Sequence, residues 1–383
     1  MMSHDSSPAM IRKPLGVICI LVLGGILTAG LWPFHSPRNQ VSWLAGGQGL
    51  QFGPHGIILS SRAFHVAPEQ GTAPCSIEIW LEPAPSATSG TVLAFYAREA
   101  PRRFSIYQFN TGLVFQSLFQ GEQQGGRTGF YVHGIFPQGK QGFTTITSDG
   151  EHTSVYVDGI LAKQVLSFPL SGQDLVGQLV IAGSPRTGDS WSGVLRGLAL
   201  FSQDLTPAQV LHHYETWTKD GRPDIGKDDR AVALYLLDER EGKLVHNQIP
   251  SGIDLYIPER FLVVDQYFLE PFWKEYKPSW SYCRDVLVNI AGFVPLGFVF
   301  CAYLSLAGRV KRPALATILL GFAVSLTIEV TQAYLPTRDS GMTDVITNTS
   351  GTGLGVWLYR LVSRHGLLAK SWAYLPGRLR TRV

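Results

Sequence analysis

The sequence predicts a mixed membrane protein that joins a four-helix transmembrane bundle to an all-β sandwich. Three observations predict it. Four apolar runs approach or exceed the length that crosses a bilayer, about 20 residues. Basic residues flank those runs in an order that one topology explains. Between the first and second runs, the stretch 43–220 breaks into short segments of period-two alternation, the signature of half-buried strands. Composition agrees: only 16% of the 383 residues are charged and 45% are hydrophobic, against roughly 25% charge in a soluble domain. The net charge of +3 gives no argument for nucleic acid.

The first span is expected over 15–32, behind a cytoplasmic N-terminus 1–14 that carries Arg12 and Lys13. It is slightly short, and Thr28-Ala29-Gly30 leaves a cleavable signal peptide as the rival reading. Trp32 and Phe34 suit an interfacial belt and favour a retained anchor. The other spans are expected over 286–307, 314–334 and 342–362, the last being the most polar. Arg309, Lys311 and Arg312 fill the link between spans two and three. Arg360, Arg364, Lys370, Arg378, Arg380 and Arg382 follow span four, the last five in a basic tail within 363–383. With four spans all three basic groups fall on one side, which is the cytoplasmic side. Both termini are then cytoplasmic, and the region between spans one and two is extracytoplasmic.

Within that region Ser76-Ile77-Glu78-Ile79-Trp80-Leu81 alternates as a strand, as do Thr91–Tyr96 and Phe104–Tyr107. Asp158-Gly159 separates Ser154–Val157 from Ile160–Ala162, a strong hairpin signal. Leu179–Gly183 and Leu195–Phe201 add strands. In Leu205–Tyr214, Thr206 caps a short helix with Pro207 at its first position. These strands, the hairpin, Trp191–Phe201 and this helix together resemble the laminin-G-like, concanavalin A-like jelly rolls. That resemblance implies recognition of a glycan or a protein, in some members through calcium; no other cofactor is expected. Asp158 is a candidate ligand-site residue or simply a turn residue. Trp191 is a candidate for stacking on a sugar or a packed core side chain. No acidic pair is spaced for glycoside hydrolysis, so recognition without catalysis is the stronger reading.

Residues 221–283 follow. The charged stretch 220–229 reads as a linker, and Ala231–Glu239 and Gly252–Pro258 as strands that complete the sandwich or rest on it. Phe261, Tyr267, Phe268, Phe272, Trp273, Tyr276, Trp280 and Tyr282 are expected to form an aromatic belt at the membrane surface. Of four cysteines, Cys19 and Cys301 lie in apolar runs; Cys75 and Cys283 lie outside the membrane, as a disulfide or as two unrelated thiols. No metal-ligand spacing occurs, and a metal is neither indicated nor excluded.

The polar residues within the spans stand out. Asn289 precedes Phe293, Pro295, Leu296 and Gly297; Glu329 is followed by Gln332 and, in the loop, by Arg338; Asp344 is followed by Asn348 and Gly351. Across 284–362 this ordered set resembles the VanZ-like membrane family, named for an association with glycopeptide-antibiotic (teicoplanin) resistance. The family often has a short loop after its first span, where this chain carries a whole sandwich. On the helix period, Asp285 and Asn289 share a face, Glu329 and Gln332 share another with Ser325, and Asp344, Asn348, Gly351 and Gly355 share a third. At about 1.5 Å rise per residue these polar groups occupy one layer near the outer surface, with Arg338 above them. An ionisable group inside a span costs at least about 2.5–3.5 kcal/mol, so the layer is expected to face inward. It is either a hydrogen-bonded network that fastens the helices or an outward-facing pocket. The first gives an envelope protein whose partners are membrane lipid and a surface glycan or protein. The second gives a membrane enzyme or transporter that acts on a lipid-linked precursor, with Glu329 and Asp344 as acid and base and Arg338 holding an anionic group.

Overall fold

The computed structural model describes residues 8–66, 73–98, 102–119, 127–276 and 278–364. The expected tail residues Lys370, Arg378, Arg380 and Arg382, and most of the expected cytoplasmic N-terminus, lie outside the described residues. The chain divides into two compact units, residues 36–266 and residues 1–35 with 267–383.

In chain order the elements begin with α1 (Pro8–Leu31), β1 (Val41–Trp43), β2 (Leu50–Phe52), β3 (Ile58–Ser60), β4 (Phe64–His65), β5 (Cys75–Pro83) and β6 (Ser89–Tyr96). Next come β7 (Arg102–Phe109), β8 (Gly112–Phe119), β9 (Arg127–Val132), β10 (Gly142–Ser148), β11 (Thr153–Val157), β12 (Ile160–Val165), β13 (Val176–Ile181) and β14 (Gly193–Phe201). After α2 (Pro207–Asp220) follow β15 (Ala231–Tyr235), β16 (Leu244–Val245) and β17 (Leu255–Tyr256). The remaining helices are α3 (Phe272–Glu275), α4 (Trp280–Ala307), α5 (Pro313–Gln332) and α6 (Met342–Arg364).

Residues 36–266 form a sandwich of two antiparallel sheets. One runs β1-β2-β14-β5-β10-β11-β12, with β15 on β14; the other runs β16-β17-β3-β13-β6-β7-β8-β9, with β4 on β13. The strands expected over 231–257 therefore complete the sandwich. Inward side chains of both sheets make the main core, including Ile77, Ile79, Leu81, Phe95, Phe104 and Phe115. The expected hairpin is present: Val157 pairs with Ile160, and Asp158 and Gly159 both have positive φ (50° and 77°), which a two-residue turn on a right-twisted ribbon requires. Helix α2 also starts as expected, with Thr206 in a capping box with Gln209 and Pro207 in the first turn. It covers the outer face of the first sheet, and this is why β5 is buried on both faces. The aromatic belt loses one member: Phe261 is buried against Ile57, Leu59 and Val180 of the sandwich. Phe268, Phe272, Trp273, Tyr276 and Trp280 are exposed. All four cysteines are free thiols, Cys75 buried and Cys283 exposed.

In the helical unit α1, α4 and α5 are long and apolar enough to cross a membrane; α6 falls outside that set. The expectation of four apolar spans is thus met by three. Helix α6 turns one face, with Thr347, Asn348 and Thr352, to α4 and α5 and leaves Ile346, Leu354 and Trp357 exposed, and its hydroxyls return to its own carbonyls, Thr347 to Thr343 (2.9 Å), Thr349 to Val345 (2.7 Å) and Thr352 to Asn348 (3.0 Å). Glycine brings α6 against α4. A Cβ on Gly351 would lie 2.2 Å from the Ile290 carbonyl oxygen, and one on Gly355 would lie 2.1 Å from that of Val294. Helix α1 is packed and not detached: Leu23, Ile26 and Leu27 rest on Phe293, Leu296 and Ile328.

Candidate functional site

The polar layer lies where α1 and α5 finish and α4 and α6 begin. Asn289 on α4 donates its amide to the Asp344 carboxylate on α6 at 2.7 Å. One turn deeper, Asn348 donates to Ser325 Oγ on α5 at 2.9 Å, and Ser325 Oγ donates to the Asp344 carbonyl at 3.4 Å. Asn348 Oδ1 is buried with no hydrogen-bond partner among the described residues. Glu329, 1% exposed, accepts the Gly341 N–H at 2.9 Å, and its carbonyl accepts the Ser340 hydroxyl at 2.8 Å.

Asn289, Glu329, Asp344 and Asn348 are thus brought to one end of the bundle, with Ser325 between α5 and α6. Gln332 reaches α1, donating to the Gly30 carbonyl at 2.7 Å, and Arg338 donates to the Trp32 carbonyl at 2.6 and 3.0 Å. Asp285 does not join: its side chain is 61% exposed beside Arg284 and Ser281. The helix face it shares with Asn289 is correct, but it lies one turn nearer the start of α4, beyond the reach of α6.

Two contributors were not legible from the spacing. The end of α1 and the residue after it supply the Gly30 and Trp32 carbonyls to Gln332 and Arg338, and nothing in an apolar run marks which carbonyls are used. Glu275, on α3, accepts both the N–H (2.8 Å) and the hydroxyl of Thr343 at the start of α6. The signal for it was present: a helix that starts after Gly341 has no capping side chain of its own.

In the sandwich the two sequence candidates are both engaged in hydrogen bonds within the fold. Asp158, in the turn between β11 and β12, accepts the Phe143 N–H of β10 at 3.0 Å. Trp191 is fully buried and donates its indole N–H to Gln108, so its ring has no open face for a sugar. The exposed aromatics lie elsewhere, where β7, β8 and β9 end. Phe109, 51% exposed, meets the Tyr131 ring edge-on at 6.1 Å, and Tyr131 meets His133 at 4.2 Å. Tyr131 lies over Gly112 and donates its hydroxyl to the Phe109 carbonyl at 2.9 Å. Among the described residues no group of three or more His, Cys, Asp or Glu is placed to hold a metal.

Comparison with known proteins defines the class. Residues 240–363 match the VanZ/LLP1 family model, and residues 60–211 match that of the concanavalin A-like lectin/glucanases superfamily. The chain thus joins a region similar to the VanZ/LLP1 family, in a unit with three helices long and apolar enough to cross a membrane, to a laminin-G-like, concanavalin A-like jelly roll. Similar solved structures include the receptor binding domain of botulinum neurotoxin D (13% identity, TM-score 0.36, 48% of each chain covered). Others are the heptameric SAP-like pentraxin from Limulus polyphemus (13%, 0.33, covering 59% of this chain and 94% of that one) and domains LG4-5 of the mouse laminin alpha1 chain (14%, 0.33, covering 45% of this chain and 47% of that one). The chain spans about half the length of the neurotoxin fragment. A comparison with the curated proteins finds no match.

Proposed function

We propose that this chain is a multi-pass protein of the cell envelope whose sandwich is a recognition module, outside the membrane, for a glycan. The observation that carries the reading is the cluster Phe109–Tyr131–His133, exposed at Phe109 and His133 and half-buried at Tyr131, at the ends of β7 and β9, which β8 joins. Ring faces suit the apolar faces of a pyranose, and the half-exposed Gln116 on β8 can hydrogen-bond sugar hydroxyls. The orientation rests on charge. Arg12, then Arg309, Lys311 and Arg312, then Arg360 and Arg364 sit at one end of the helices, the cytoplasmic end. Trp32, Trp273, Tyr276, Trp280 and Tyr334 are exposed at the other end, where an aromatic belt belongs. Helix α6 serves as the fourth span, its polar groups turned to its neighbours.

The test is glycan-array binding by the full-length protein in nanodiscs. Phe109→Ala and Tyr131→Ala should each weaken binding about tenfold, since stacked aromatic anchors dominate such contacts. Binding only to an envelope protein, or binding indifferent to both substitutions, would overturn the glycan reading.

A second reading is favoured by the buried carboxylate of Glu329 and the half-buried one of Asp344 in one layer: an enzyme or transporter for a lipid-linked envelope substrate. Glu329→Gln keeps the shape and removes the titration. A folded variant with full activity in a lipid and wall analysis would rule out proton transfer at Glu329.

A further inference from the structure

Helix α6 begins without a cap of its own. The residue before it is Gly341, which offers no side-chain oxygen to the first-turn N–H groups. Three successive amides nevertheless find acceptors on other elements. Gly341 N–H reaches the Glu329 carboxylate on α5 at 2.9 Å, Met342 N–H the Glu270 carbonyl at 2.9 Å, and Thr343 N–H the Glu275 carboxylate at 2.8 Å. Glu275 does what a capping Ser or Asp at 341 would do, and Glu329 does what the acidic residue of a capping box does, accepting the N–H of the cap position. The glycine is part of the arrangement: a Cβ at 341 would lie 1.6 Å from Glu275 Oε1. The carboxylate occupies the space that a cap side chain would fill.

Two of the three acceptors belong to one segment, residues 267–276. That segment is further stitched to the loop before α6 by Leu269 N–H to Ser340 Oγ (3.3 Å) and Glu270 N–H to the Ser340 carbonyl (2.9 Å). It is the first stretch of chain after the sandwich, whose last residues are fixed by Asp265 bonding Tyr96 and Arg98. Asp344, which receives Asn289, is the residue immediately after Thr343.

We propose that α6 is capped in trans and that Glu275 is a positioning residue: through it, the strap of residues 267–276 sets where the first turn of α6 sits, and so holds Asp344 against Asn289. The chain that leaves the sandwich thereby fixes the geometry of the polar layer. This goes beyond the recognition reading and holds whether the layer binds a ligand or only fastens helices.

Hydrogen exchange on the full chain in nanodiscs tests it. Glu275→Ala should speed exchange about tenfold in 340–346, the scale of a lost cap, and also in 286–292, the α4 turn that carries Asn289. Glu275→Gln, which keeps an acceptor oxygen, should stay near wild type. Gly341→Ser should change sign with background: faster exchange alone, because it displaces Glu275, and slower exchange in the Glu275→Ala chain, where serine caps in cis. No change in 340–346 on Glu275→Ala would overturn the trans cap. A rise confined to 340–346 would make Glu275 a local cap and overturn its positioning role. Gly341→Ser acting alike in both backgrounds would show that the two residues do not share one place.

Discussion

His213 shows how much a single side chain carries. It sits on α2, 1% exposed, with Glu78 on one ring nitrogen (3.0 Å) and Asp229 on the other (3.4 Å). Burial alone would push its imidazole down, but Glu78 and then Asp229 outweigh it and raise it above 6.5. Burial raises the Glu78 carboxyl above 4.5, against the opposing pull of His213. Both groups bind protons more tightly folded than unfolded, so their contribution is complete below the unfolded values and is lost as pH rises through the folded ones. Melting of the full-length protein in detergent should therefore fall as pH rises from 4.5 through 6.5 and beyond, a slope lost in a Glu78→Gln/His213→Gln variant. Asp265 works the other way. Against the cost of its burial, Tyr96, Arg98 and Arg186 hold its carboxyl below 3.8, so it weakens the fold only in acid, outside that window. A wild-type melting temperature that climbs across the window would contradict the assignment. His213→Ala strands two buried carboxylates and should cost about 3–5 kcal/mol.

At the scale of elements, the helical unit depends on a seam. Glycines 351 and 355 of α6 meet carbonyl oxygens of α4 with no room for a methyl group, while Gly353 has nothing within 4 Å of its added Cβ. Gly351→Ala and Gly355→Ala should each cost about 1–3 kcal/mol by forcing the helices apart, and Gly353→Ala should be neutral. Thermal unfolding in detergent separates the cases; equal effects at 353 and 351 would deny the seam. The same close approach brings Asn289 to Asp344 at 2.7 Å, so the seam variants should also loosen the polar layer. Helix–helix attraction in lipid comes from packing and hydrogen bonds and not from water exclusion, which is why small residues and amides are found together here.

For the whole molecule, the prediction is one of sidedness. A reporter fused near Gln203, in the sandwich, should behave as extracytoplasmic, and one near Val310, between α4 and α5, as cytoplasmic. The reverse pattern would overturn the charge argument. Element boundaries were legible because their physics is local. The spans start and stop within a few residues of the expected positions except at 280 and 8: Ser279 caps α4 ahead of its apolar run, and α1 takes in Arg12 and Lys13 before its own. The site was legible only in part. Helix-face arithmetic brought Asn289, Asp344 and Asn348 inward, but it could not show that Asp285 stops one turn short or that Gln332 turns to α1.

The sequence by itself determined the class of those segments whose signal is local. Apolar length made the three membrane-length helices, period-two alternation made the strands, Asp158-Gly159 made the hairpin, and Thr206-Pro207 started α2; each signal lies within a few residues and needs no partner. Only the tertiary structure decided what those residues face. Trp191 is core because two sheets close over it, and Phe261 is core because the chain after β17 folds back on β3 and β13. Asp229, in a stretch that reads as a charged linker, is drawn to a buried histidine. Glu275 caps a helix 66 residues further on, where Gly341 leaves the space. These are contacts between groups far apart in the chain, and their energies depend on burial and distance, which no local pattern of residues encodes.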